Sequence, residues 1–188
     1  LNNQWTHIAM SYDNTSMRFF INGTLVNELS GDLGPIGTLA YDLVINRHTW
    51  GSGESSRLSG QMDELRISNT ARYTSTFQVA QQEFASDANT MGLWHFNGDL
   101  LDASGNGNNG IANGTGFSDN TPGLAPATQP SNTHSLSFDG VDDYISAPNS
   151  ATLNPGIDDF SITGWIKTIT KKLKNPNILV GIEQTNPI

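Results

Sequence analysis

No stretch of this 188-residue chain carries a long apolar pattern of helical period, whereas short runs alternating apolar and polar residues recur from one end to the other. Alternation with a period of two puts every second side chain on one face of a strand. Short strands joined by turns, without intervening helices, leave an antiparallel sandwich or barrel as the fold. Ile8, Met10 and Tyr12 alternate within the stretch from Trp5 to Tyr12, and Met17, Phe19 and Ile21 repeat the pattern. Asn22-Gly23 follows directly and favours a tight turn, so Met17 to Leu29 reads as a hairpin. Leu39 to Asn46, Met62 to Ser68, Met91 to Phe96, Ser135 to Phe138, Tyr144 to Ala147, Phe160 to Lys167 and Ile178 to Ile182 are further expected strands. Between them, 19 Gly and 8 Pro supply the turn residues. Tyr73 to Asn89 has neither alternation nor Gly; it reads as a connector with one helical turn from Val79 to Phe84.

Charge narrows the partners. A formal net charge of −9 repels a nucleic-acid backbone. No run approaches the roughly 20 apolar residues of a membrane span. The absence of Cys means that no disulfide staples the core, which must rest on burial and on any bound metal.

Four segments then fall in a particular order: Leu93-Trp94-His95-Phe96, Asp102-Ala103-Ser104-Gly105-Asn106-Gly107, Leu136 to Tyr144 with Asp139-Gly140-Val141-Asp142-Asp143 inside it, and Phe160 to Trp165. They resemble the first half of a laminin-G-like module of the concanavalin A-like lectin/glucanase superfamily. Trp5 to Asp13, Phe20-Ile21-Asn22-Gly23 and Gly60 to Ser68 resemble the second half. The resemblance implies an all-β fold, an antiparallel two-sheet jelly-roll sandwich. The halves stand in reversed order: 1–77 as the C-terminal half, 78–90 as connector and 91–188 as the N-terminal half. Such an order implies a piece cut from a tandem array, a circular permutant, or strand exchange with a neighbouring copy. In each case the strand from Trp5 to Tyr12 and the strand from Phe160 to Lys167 are expected in one sandwich.

The acidic residues suggest a cation site. Ca²⁺ takes about 6 to 8 oxygens and mixes carboxylates with carbonyls. Asp139, the carbonyl of Gly140, Asp142 and Asp143, joined by Asp63 and Glu64 on a neighbouring strand, form the expected set, and modules of the resembled kind often hold calcium at the sandwich rim. An alternative set is Asp102, Ser104, Asn106 and Asn108, at alternate positions of a Gly-rich loop. The Gly105 to Gly110 stretch satisfies G-x-G-x-x-G, but Ile111 to Gly116 reads as more Gly/Asn-rich loop and not as the helix that a dinucleotide site needs.

Ligand contact is expected at Arg47, His48 and Trp50, at the entrance of the Gly/Ser-rich loop from Gly51 to Ser59, where an indole face could stack on a sugar ring. Trp5, Trp94 and Trp165 sit within strand patterns and read as structural. Hydrolase motifs are missing, and Asp63 and Glu64, being adjacent, should face opposite ways on a strand. The expected function is a noncatalytic recognition or adhesion module at a cell or virion surface or otherwise extracellular, binding glycan or a protein surface. The alternative is an architectural repeat of a fibre, virion or surface layer with no soluble ligand.

Overall fold

The computed structural model describes residues 3–37, 41–47, 57–125, 132–154, 159–169 and 180–183. Twelve strands are present among them: β1 (Thr6–Tyr12), β2 (Ser16–Ile21), β3 (Thr24–Ser30), β4 (Asp42–Ile45), β5 (Ser59–Ser68), β6 (Thr90–Trp94), β7 (Ile111–Asn113), β8 (Gly116–Ser118), β9 (Ser135–Asp139), β10 (Tyr144–Ala147), β11 (Phe160–Thr168) and β12 (Val180–Glu183). They form two antiparallel sheets. The larger runs β3-β2-β1-β11-β5-β9-β8, with β6 also on β5; the smaller runs β12-β4-β10-β7. Apolar residues of alternate positions meet between the sheets: Met62, Leu65, Ile67, Leu136, Phe138 and Ile166 from the larger, Leu43, Ile45, Ile145 and Ala147 from the smaller. Among the described residues no helix is long and apolar enough to cross a membrane.

β11 runs beside β1 along the whole of β1, from Thr6 opposite Ile166 to Tyr12 opposite Phe160. The strand from Trp5 to Tyr12 and the strand from Phe160 to Lys167 therefore share one sheet of one sandwich. The larger sheet has twice the smaller one's strands, and the side of β2 and β3 carrying Phe19 and Leu29 is 37% and 56% exposed.

Two local expectations are corrected. Val79 to Phe84 makes no helical turn: Glu83 N–H donates to Ala125 O and Ala125 N–H to Gln81 O, so this backbone is held extended against another segment. Ile111 to Gly116, expected as loop, contributes β7 and the start of β8, because β10 and β9 offer partners that override Gly/Asn-rich composition.

Residues 70 to 87 form a strap across the face of the larger sheet that points away from the smaller one. Tyr73 N–H donates to Ser11 Oγ at 3.1 Å, Phe77 N–H to Gly23 O at 2.9 Å and Phe84 N–H to Glu64 Oε2 at 2.7 Å. Tyr73 and Phe77 stack with ring centroids 4.0 Å apart, and Phe77 also packs edge-on against Phe20 and His7. Gly23 at the β2–β3 turn has φ +76°, and a Cβ there would lie 2.1 Å from the Phe77 carbonyl oxygen. Only glycine admits both the turn and the strap.

Candidate functional site

The β9–β10 turn and the two ends of the β4–β5 connection meet at one rim of the sandwich. Asn46, with φ +65°, closes the end of β4; its Nδ2 donates to Asp143 O at 3.1 Å and its Oδ1 accepts from Leu58 N–H at 2.5 Å. Arg57 Nη1 donates to the carbonyls of Asp142 and Asp143 at 3.1 and 3.4 Å. The Arg47 guanidinium lies over the Tyr144 ring, 4.8 Å from its centroid. Gly140 lets the turn close tightly, since a Cβ would meet Ser59 Cβ at 2.8 Å and φ is +81°.

Asp139, Asp142 and Asp143 each offer a carboxylate oxygen within 4.8 Å of the others'. Asp143 is buried, and its Oδ2 accepts from Asp139 N–H at 2.8 Å; Asp139 Oδ1 accepts from Val141 N–H at 2.7 Å. These bonds use one oxygen each of Asp143 and Asp139 and shape the turn. Three carboxylates this close together are the donor type that a hard, oxygen-seeking divalent cation such as Ca²⁺ takes. Arg47 thus comes to the same rim as three of the expected acidic ligands. His48 and Trp50 lie outside the described residues.

Asp63 and Glu64 do not belong to that rim. Asp139 pairs with Ser59, four residues before Asp63 on β5, which is roughly 13 Å at about 3.3 Å per residue. Nor do they face opposite ways. The register between β5 and β11 slips between Thr163 and Trp165, and Glu64 adopts φ +53°. This bulge places both acids on the strap side while Met62 and Leu65 stay in the core. Both are fully buried. Asp63 accepts from Glu64 N–H at 2.9 Å and from Asn132 Nδ2 at 3.0 Å, and burial, reinforced by the Glu64 charge, pushes it up to about 8. Glu64 accepts from Phe84 N–H and meets His95 Nδ1 at 2.6 Å; burial raises its pKa against the pull of His95. For His95, burial favours the neutral form, but the Glu64 hydrogen bond and charge more than reverse this.

The residues of the alternative cation set bond within their own loop and to β6. Asp102 Oδ1 accepts from Leu93 and Ser104 N–H and its Oδ2 from Asn108 N–H. Asn106 and Asn108 donate their side-chain amides to Met91 O, Ser104 Oγ donates there as well, and Asn108 Oδ1 accepts from Thr152 Oγ1. Alternate spacing here staples the loop to β6.

Arg57 and Asn46 were not anticipated at the rim. Arg57 closes the same Gly/Ser-rich loop that Arg47 opens, which is the sequence signal that could have paired them. Trp94 and Trp165 are structural in different ways: Trp94 is in the core with Nε1 donating to Asn108 O, whereas Trp165 is buried, 5.4 Å from the His7 ring.

The family model of the concanavalin A-like lectin/glucanases superfamily matches residues 1–77. The match covers less than half of the 188-residue chain. No curated protein and no solved structure matches the chain. The matched segment holds β1 to β5, Arg47, Arg57 and most of the aromatic part of the strap; the acidic turn, β9, β10 and β11 come from outside the match and complete the same sandwich.

Proposed function

We propose that the protein is a noncatalytic extracellular recognition module that binds glycan or a protein surface across the rim of Arg47, Arg57 and the Asp139–Asp143 turn. Modules of this superfamily's lectin type generally bind carbohydrate or protein without catalysing a reaction and are usually extracellular. The observation that carries the reading is the convergence of two guanidinium groups and three carboxylates on adjacent loops of a rigid scaffold, where binding residues are commonly displayed. Asp139, Asp142 and Asp143 would hold Ca²⁺, which supplies open coordination positions for ligand hydroxyl or carbonyl oxygens. Probing a glycan array with and without chelator tests this: glycan capture that chelator abolishes supports it. A second reading, an architectural repeat in a fibre, virion or surface layer, draws on the β1–β11 pairing of motif halves in reversed order, and predicts that the array captures nothing.

A further inference from the structure

The two sheets are unequal in a definite direction. β7 and β8 are joined by Gly114 and Thr115 alone, so the β7 end of the smaller sheet lies beside the β8 end of the larger one. Counted from that shared end, β7, β10, β4 and β12 are matched by β8, β9, β5 and β11, and β1, β2 and β3 extend past β12. At about 4.8 Å per strand these three make an overhang roughly 14 Å wide. Its inner face continues the core. Directly opposed residues of antiparallel strands share a face, and Met10 lies two residues along β1 from Ile8, which packs against the core cluster. Met10 is opposite Phe19, Tyr12 opposite Met17 and Met17 opposite Leu29, so these side chains look toward the space beyond β12. Phe19 is 37% and Leu29 56% exposed. Arg18 and Glu28, the charged residues of β2 and β3 that pair at 2.9 Å, stand at the alternate positions and point to the other face.

Both sheets also end on an open strand at this side. Among the described residues, no strand pairs with the outer edge of β3 or of β12. The Leu25 N–H of β3 is taken by Thr76 Oγ1, which leaves residues 26–30 to meet the four residues of β12. An open edge beside an uncovered apolar face recruits further strands. We propose that the occupant is a second copy of this chain, related by a two-fold axis, with β3 of each copy added to β12 of the other. The strand counts close. Continuing the smaller sheet from β12 with the second copy's β3, β2 and β1 lays those strands over β1, β2 and β3 of the first, with no position empty or doubly filled. The same surface serves both copies, as a two-fold contact requires. Net charge of −9 makes two copies repel, and this uncharged face is where they can approach at least cost. Strands of seven residues give a footprint of about 14 by 23 Å, roughly 320 Å² per copy before the edge seams are added. That is well short of the roughly 800 Å² per partner of a tight complex, so the dimer is a weak one. It uses no rim residue and no metal, and does not depend on the rim reading.

Sedimentation velocity of the intact chain in excess chelator, from about 1 to about 300 µM, should show a monomer–dimer equilibrium with a Kd on the order of 10 µM. Leu29→Lys changes a residue exposed in the single copy and should weaken dimerisation at least about tenfold, because the charge enters the interface twice. Ile111→Lys, 54% exposed on β7 at the opposite end of the smaller sheet, should leave it unchanged. Hydrogen exchange in the unmodified chain reads the edge itself: amides of residues 26–30 should exchange more slowly at high than at low concentration, while those of β8, the opposite edge of the larger sheet, should not change. That comparison decides even if Leu29→Lys fails to fold. A chain that stays monomeric at every concentration overturns the proposal. So does association that a folded Leu29→Lys leaves intact, or that protects β8 and not β3.

Discussion

His95 Nδ1 lies 2.6 Å from Glu64 Oε1, and the other oxygen of that carboxylate accepts the Phe84 N–H, so one buried acid ties β5 both to the start of the β6–β7 connection and to the strap. Removing the imidazole leaves the carboxylate buried with its partner gone. His95→Ala should cost about 3 kcal/mol, whereas Glu64→Gln, which keeps an oxygen for Phe84 and an amide for His95, should cost about 1 kcal/mol. Urea denaturation of the two variants checks the ranking; equal losses would show that the pairing itself contributes little.

Asp63 makes stability fall with rising pH. Its folded-state pKa is raised from 3.8 to about 8, so the folded chain holds a proton that the unfolded chain releases. The contribution is fully present below 3.8 and is lost as pH rises through about 8. Urea midpoints at about pH 4 and about pH 8 should therefore differ less in Asp63→Asn than in the unmodified chain. An unchanged difference would mean that Asp63 is ionised in the folded state.

The strap depends on Gly23. Gly23→Ala adds a Cβ that would lie 2.1 Å from Phe77 O at a residue with φ +76°, and should cost at least about 1 kcal/mol. Limited proteolysis should then cut first within residues 73 to 87. Cleavage elsewhere, with stability preserved, would show that the strap is not anchored at this turn.

Pairing of β1 with β11 inside one chain can be trapped, because the chain has no cysteine of its own. Met10 and Ile162 are directly opposed on the core-facing side. Cross-strand Cα separations of about 4.5 to 5.5 Å fall within disulfide range. The double variant Met10→Cys, Ile162→Cys should oxidise to a monomer of altered mobility on a non-reducing gel. Disulfide-linked dimers at low concentration would instead indicate strand exchange between copies.

Alternation made the longer strands legible: β1, the β2–β3 hairpin, β5, β9, β10 and β11 all follow from apolar residues at every second position. β7 and β8 were not legible, since three residues of Ile-Ala-Asn or Gly-Phe-Ser become strands only through β10 and β9. Fold class could therefore be read from local patterns, while Val79 to Phe84 could not, because its backbone partners are a distant carbonyl and a buried glutamate. At the rim, the Asp139–Asp143 turn announced itself by density of acids next to a turn glycine. Asp63 and Glu64 misled for a physical reason: a one-residue bulge at Glu64 breaks the alternation that assigns faces, and no composition signal marks it. At Asp102, the spacing that can gather oxygens for an ion is the same spacing that lets one carboxylate collect backbone N–H groups within its own loop.

The rim is tested most directly by titrating Ca²⁺ into the isotope-labelled chain and following backbone amides, with Asp142→Asn as the control. Saturable shifts should be confined to Asp139–Asp143 and the adjoining Arg57 and absent in the control, with a melting temperature that rises with free Ca²⁺ as ligand linkage requires. No shift at Asp139–Asp143, or shifts centred on Asp102–Asn108 or on Asp63 and Glu64, would contradict the rim reading.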